Sequence, residues 1–517
     1  MTTAAAPVPT RSQRTPIRTR AVLAIILVSY FLILLDNSVV FTGLPTIQAS
    51  LDLSAAGLAW VQDAYVLVFG GLLLLGARLG DLLGRRRVFI VGLGVFVGAS
   101  FLIGVAPSGG WLIAARALQG IGAAIVAPSS LSLLTASFPE GESRSKAVAL
   151  YGATAGIGAS LGLVVGGAAA SWISWRAGFF INVPIGIAMI FLAPKYLPET
   201  PPRTGAFDLP GAVLATLGSS ALVFGVLESS TRGWSDPLVL VTLAAAAALL
   251  AGLVVNEKRV AQPIMPLRLF SDRRRAGAYA ARALYLGAMI GFFFFTTQLL
   301  QGVFGFTPLQ AGLGFLPMTA VNFAVALAVP RLLRWIDSAV LLAAGVIVTV
   351  AGIAWLSQAD TANGYLIAVA LPMLLIGAGQ GLAFAPLTSF GIVAAPAADA
   401  GAASGLINTF HQVGTAIGLA VLVAISAPAT DLSTRFAHAL LGSTALLCLA
   451  LLAVVAVILP AHRKALVSRS GRTSAGRFDG LSTTRATRPN PIGEMPGRSA
   501  KIWIKPSAEQ EHRDSHR

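Results

Sequence analysis

Four ionisable residues stand inside stretches otherwise built from apolar side chains: Asp36, Asp63, Arg116 and Arg282. A charge within hydrocarbon costs at least about 2.5–3.5 kcal/mol, so each should be paired, functional or able to reach the surface. A carboxylate beside a guanidinium stays charged, whereas one desolvated without a partner takes up a proton. An acid and a base that meet and part as helices move can therefore bind and release a proton without a cofactor. That chemistry is expected of Asp36 with Arg116, and also of Asp63; the alternative is a static ion pair that pins helices together. Arg282 is expected to snorkel to the nearer interface.

Other polar side chains sit near these charges. Gln119 lies one turn beyond Arg116, and Asn408, His411 and Gln412 share one short stretch. The four are candidates to line a substrate cavity. His411 could also relay protons, or make only a helix–helix hydrogen bond. Phe292–Phe295 could line a pocket for apolar compounds or simply pack. No GxxxxGK[ST] or HExxH stretch exists, the five histidines are scattered and Cys448 is the single cysteine. A P-loop, a disulfide and a metal site are therefore not expected, and no cofactor is called for.

These residues need elements to hold them. Of 517 residues, 56% are hydrophobic and 11% charged, with a mean hydropathy of +0.78. That balance excludes a cytosolic enzyme, a disordered regulator and a secreted disulfide scaffold. The apolar runs are about 20 residues long, enough to cross a bilayer as helix. They predict about fourteen spans, near 21–43, 58–76, 88–106, 112–136, 147–170, 177–194, 210–227, 237–255, 276–300, 308–330, 338–357, 364–388, 401–427 and 438–460. The alternating ten-residue pattern of a membrane barrel is absent. The expected fold class is an all-α polytopic membrane protein.

Cations orient it. With the N-terminus in the cytoplasm, the inner loops hold Arg78, Arg85–Arg87, Arg144, Lys146, Lys195, Arg203, the cluster from Lys258 to Arg275, Arg331 and Arg334. The outer loops hold Arg176, Arg232 and Arg435. This is the positive-inside pattern, with both termini cytoplasmic, in a cell (inner or plasma) membrane. Eleven of the sixteen net positive charges lie in the arm 1–20 and the tail after 460. The tail is expected to be disordered, its charge serving solubility or attraction to membrane lipids rather than nucleic acid. Depth then follows from the ~1.5 Å rise per helical residue. Asp36, Asp63 and Arg116, on three helices, all fall roughly 6–8 Å below the outer face.

The chain also repeats weakly. Ile157-Gly158 through Gly162-Leu163 resembles Val413-Gly414 through Gly418-Leu419, Gln119-Gly120 resembles Gln380-Gly381, and Arg78-Leu79 resembles Arg331-Leu332. Internal symmetry of this kind is typical of transporters. It divides the chain into an arm 1–20, a six-helix bundle 21–194, a linker with two inserted spans 195–275, a second six-helix bundle 276–460, and a tail 461–517.

Several stretches resemble one family. Between spans two and three runs Ala77-Arg78-Leu79-Gly80-Asp81-Leu82-Leu83-Gly84-Arg85-Arg86-Arg87, similar to the signature loop of the major facilitator superfamily. Arg116-Ala-Leu-Gln119-Gly120-Ile-Gly122 resembles its fourth-helix signature. Leu35-Asp36-Asn-Ser-Val39-Val40 through Pro45, and Phe180-Ile-Asn182-Val-Pro184, resemble its fourteen-span drug:proton antiporters. Gly158, Gly162, Gly166 and Gly167 fall in a stretch similar to the antiporter signature, with Leu163 where proline is usual. Small residues spaced by four also suit close helix packing. The resemblance implies a conformational latch at Arg78, Asp81, Gly84, Arg85 and Arg86; as a bare sequence the loop could equally be a solvated positive-inside turn. It further implies an exporter of hydrophobic or cationic drugs and antibiotics in exchange for protons, hence antibiotic resistance. A dedicated exporter of one natural product or lipid, and a transport-inactive sensor, are the competing expectations.

Overall fold

The computed structural model describes residues 16–139, 141–200, 208–396 and 399–467. The basic arm through residue 15 and the expected disordered tail from 468 onward lie outside the described residues, as does Arg203. The packing that follows is that of the unit Met1–Lys464. The described residues form helices and connecting turns, and fourteen helices are long and apolar enough to cross a membrane. Within a bilayer a helix satisfies its own backbone polar groups, which an open strand cannot do.

The helices are α1 Thr19–Leu51, α2 Ala55–Leu83, α3 Arg85–Gly104, α4 Gly109–Ser137, α5 Glu142–Trp172, α6 Trp175–Tyr196, α7 Leu209–Arg232, α8 Pro237–Arg259, α9 Arg273–Gly302, α10 Pro308–Leu332, α11 Ser338–Leu356, α12 Leu366–Ile392 and α13 Ala400–Ser426. The last, α14, runs Leu432–Ala453 and continues through a wide turn at Val454–Ile458. The fourteen expected spans are all present, most extended by a few residues. Many starts are set by side-chain caps: Ser54, Ser108, Asp208, Asp236, Asp272, Thr307, Asp337 and Asp431 each accept a hydrogen bond from the first turn. α6 breaks at Ile181 and α10 at Phe315. α5 runs unbroken through Leu163.

The helix pairs repeat. α2 packs on α4, α3 on α4, α1 on α5 and α3 on α6. In the same order α10 packs on α12, α11 on α12, α9 on α13 and α11 on α14. Between the two sets, α5 meets α10 and α13 meets α2, again as equivalents. The added pair α7 and α8 pack together, with α7 against both α2 and α13.

Contacts gather the helix ends into two groups. At one end, rich in basic residues, Arg78 bonds Gln262, Arg86 bonds the carbonyls of Pro194 and Leu197, and His462 bonds Asp337. At the opposite end Trp175 bonds Ser50, and Arg176 bonds the carbonyl of Ala106. The connection between α12 and α13 carries no cation of its own. It receives Arg268 on Asp399, at 2.6 Å, and Arg275 on the carbonyl of Val393. The hydrogen bonds from Arg268 hold the Asp399 carboxyl below the usual carboxylate range.

Candidate functional site

The chemistry gathers around Asp36, which is fully buried on α1. Arg116 Nη1 of α4 donates to Asp36 Oδ2 at 2.8 Å. Gln119 Nε2, one turn along α4, donates to Oδ1 at 2.8 Å, and Asn182 Nδ2 of α6 donates to the same oxygen at 2.7 Å. Gln119 Nε2 also donates to Ser100 Oγ of α3, and Gln119 Oε1 accepts from Arg116 at 2.6 Å. Arg116 Nε donates to the carbonyl of Val61 on α2, and its guanidinium lies 4.3 Å from the centre of the Tyr65 ring. Helices α1, α2, α3, α4 and α6 therefore meet in one polar network around Asp36, in which α4 and α6 donate directly to its carboxylate. Asp36, Arg116, Gln119, Asn182 and Ser100 are all 0% exposed.

This arrangement sets a condition on proton transfer. A buried pair loses solvation and is stable only if its remaining valences are filled. Here the carboxylate accepts three hydrogen bonds, while Arg116 Nη2 has no partner. Protonating Asp36 would leave the buried guanidinium unbalanced.

A stripe of small residues seats α1. A Cβ at Gly158 would lie 2.9 Å from Leu34 Cβ, at Gly162 2.7 Å from the Leu35 carbonyl oxygen, and at Gly166 2.7 Å from Val39 Cα. Gly167 faces elsewhere, against Pro308 and Leu309 of α10. The expected antiporter glycines thus split between the Asp36 helix and the other half of the molecule.

Asp63 stands apart from the pair. It is fully buried on α2, and neither carboxylate oxygen has a hydrogen-bond partner. Gly70 lies seven residues further along α2, where that helix packs on α13. There Gly70 abuts Gln412, and Thr409 Oγ1 donates to the Gly70 carbonyl. The expected common layer with Asp36 and Arg116 does not produce a contact.

The expected cavity residues divide. Gln119 belongs wholly to the Asp36 network, because its side chain turns from α4 toward α1 and α3. Gln412 is wedged between α13 and α2. Asn408 is exposed, and its amide donates to the Ser404 carbonyl. His411 Nδ1 lies 3.1 Å from Arg282 Nη2. Arg282 does not snorkel: it is 2% exposed and turned into the protein. Phe292, Phe294 and Phe295 are core residues. Cys448 is exposed on α14.

The loop between α2 and α3 is built as a clasp. Gly84 turns the chain with φ +99°, a left-handed conformation that favours glycine. Asp81 pairs with Arg85 at 2.8 Å, and Arg85 Nη1 reaches the Ser132 carbonyl of α4. Glu199, after α6, accepts from the Arg86 backbone N–H and lies 3.4 Å from its guanidinium. Sequence reasoning assigned no role to Glu199, Ser100, Tyr65 or the Arg268–Asp399 bridge, and set Asn182 only within a motif. An Asn in an apolar span was the one available signal.

Fourteen spans packed as two equivalent helix sets, with a buried acid–base network, define a polytopic membrane protein, and the family match makes it a transporter rather than an enzyme. It belongs to the Major Facilitator Superfamily, whose sequence profile matches residues 26–419. The chain is 40% identical over 461 residues to the cephamycin export protein of Amycolatopsis lactamdurans, covering 87% of this chain and 94% of that one. It is 35% identical over 478 residues to a puromycin resistance protein of Streptomyces alboniger, covering 90% and 94%. A crystal structure of a peptide transporter with bound sulfate superimposes with a TM-score of 0.65 at 16% identity, covering 88% of this chain and 97% of that one. That likeness is one of fold.

Proposed function

We propose that the chain exports hydrophobic or cationic drugs and antibiotics in exchange for protons. In this reading the two transport bundles are 21–194 and 276–460, with 195–275 as the inserted pair, and alternating access is their relative movement. The basic end faces the cytoplasm, because cations stay on the side from which a span is inserted. Asp36 carries the proton and Arg116 responds to it, with Asp63 as a second acidic site. The clasp of Arg78, Asp81, Gly84, Arg85 and Arg86 acts as a latch on the cytoplasmic side. Asn408 and His411 face the substrate path, with Gln412 in the α2–α13 contact beside them.

The observation that carries this reading is the fully buried carboxylate at the centre of a polar network drawn from five helices. A packing role alone would be met by apolar side chains of similar volume, often with greater stability. The names of the relatives support export and resistance. The test is a drug-susceptibility panel in cells with and without the protein, paired with Asp36→Asn. Raised tolerance to several compounds, lost in the variant, is the expected result. The relative named for cephamycin export favours a second reading, a dedicated exporter, which predicts tolerance to one compound class only. No change for any compound refutes both.

A further inference from the structure

The second helix set holds a buried charge that no carboxylate among the described residues balances. Arg282 on α9 is 2% exposed. Its Nη1 donates to Thr388 Oγ1 on α12 at 3.1 Å, and its Nη2 donates to His411 Nδ1 on α13 at 3.1 Å. Its guanidinium stacks 4.0 Å from the centre of the Phe384 ring, and Nε has no partner. All of these neighbours are neutral. From 276 to 460 the chain has four acidic residues, Asp337, Asp360, Asp399 and Asp431, each near a helix end and already engaged. A buried cation without a counter-ion is costly; among the described residues no carboxylate, unpartnered Asp63 of α2 included, forms an ion pair with Arg282, so an anion from outside the chain would supply the balance.

The neighbours say what fits. Arginine donates in every state, so His411 Nδ1 is the acceptor and the ring proton sits on Nε2. That Nε2–H has no partner among the described residues and is a second donor for an anion. Asn408 and Ser404, one and two turns back on α13, are exposed. α13 is packed on several sides, by α2, α7, α9 and α14. Exposed amides and hydroxyls there face water rather than lipid, since polar groups are disfavoured in hydrocarbon. Phe384, 40% exposed beside the guanidinium, offers an aromatic face.

We infer that Arg282, with His411 and Thr388, forms the subsite that binds a negatively charged group, of carboxylate type, on the transported small molecule. This rests on the transport reading above, and it turns the substrate class from cationic to anionic and amphipathic. A lipid phosphate shares the chemistry, and the test separates the two.

Full-length protein in phosphatidylcholine nanodiscs is unfolded thermally with benzoate or its neutral isostere benzamide. Benzoate, and not benzamide, is expected to raise the midpoint, and Arg282→Gln is expected to weaken half-saturation about tenfold or more. Arg282→Lys is expected to keep a reduced preference, since lysine supplies the charge without the planar fork. Equal responses to both probes, or a preference unchanged in Arg282→Gln, overturn the proposal. Protection by phosphatidylglycerol alone, lost in the variant, assigns the guanidinium to lipid and also overturns it. Without ligand, Arg282→Gln is expected to unfold at or above the wild-type temperature; a clear fall shows a balanced structural charge and counts against the subsite. Asp36→Asn is expected to keep the benzoate preference while losing proton-driven export, so failure of coupling and failure of this subsite read differently.

Discussion

Replacing Asp36 by Asn tests both the energetics and the coupling. The amide keeps the shape of the carboxylate but removes its charge, and it sets an N–H₂ against either Arg116 or the Gln119 and Asn182 amides, donors now 2.7–2.8 Å away. Unit charges about 4 Å apart attract by roughly 4 kcal/mol at an effective dielectric of 20. Removing one partner of a buried pair typically costs about 3–5 kcal/mol, because the other is left unbalanced. Asp36→Asn should therefore lower the thermal midpoint clearly, while the double variant Asp36→Asn/Arg116→Gln, with no charge left, should recover much of the loss. Membrane insertion should persist in both, since span hydropathy is unchanged or improved. In proteoliposomes under an imposed pH gradient, Asp36→Asn should abolish gradient-driven efflux of a compound identified by the drug panel. Undiminished gradient-dependent flux in that variant refutes the proton assignment. A double variant no more stable than the single one refutes the buried-pair argument.

The remaining predictions draw on other parts of the molecule. Asp63→Asn should fold at least as well as the wild type, because it neutralises a buried carboxyl with no partner; reduced proton-driven flux at full expression would mark it as a coupling site, and unchanged flux would exclude it. Gly162→Ala and Gly166→Ala place a Cβ 2.7 Å from backbone atoms of α1 and should cost about 1–3 kcal/mol. Gly152→Ala and Gly156→Ala, on the same helix with nothing within 4 Å, should leave the thermal midpoint unchanged. Arg268 depresses the Asp399 pKa, so the stability this bridge lends is present above the usual carboxylate value of about 3.9 and is lost as pH falls through the lower folded value. Limited proteolysis between α8 and α9 should therefore increase in strongly acidic buffer for the wild type, and Asp399→Asn should show that susceptibility already at neutral pH.

The spans were legible because hydropathy and loop cations report on the bilayer directly. The Asp36–Arg116 pair was legible for a related reason: counting residues along a straight helix gives depth, and two opposite charges at one depth can meet. Depth does not give azimuth. Gln119 was expected in a cavity and instead closes the network, since only packing decides which way a helix face turns. The same gap hid Arg282, which could reach the interface or turn inward, and it separated Asp63 from Arg116 although their depths agree. Glu199 was hidden differently: it lies in a connection, and which loops share an end says nothing about which side chains touch.

The placement of the glycines links the two halves of the argument. On α5, Gly162 brings the Leu35 carbonyl into contact beside Asp36, and Gly167 meets Pro308 at the start of α10. α10 returns the contact, with Gly312 against the Leu163 carbonyl. Helix α5 is thus pressed backbone to backbone on the Asp36 helix and on the opposite helix set. Such close contacts resist sliding at one face only by transmitting it to the other, because packed interiors have no free volume to absorb it. A shift of α10 against α5 must then alter either the seating of α1 or the α5–α10 contact itself. The packing between the helix sets and the surroundings of Asp36 are therefore joined through α5, which runs unbroken past Leu163, and through direct contacts of α1 such as Gln301 on the Thr42 carbonyl.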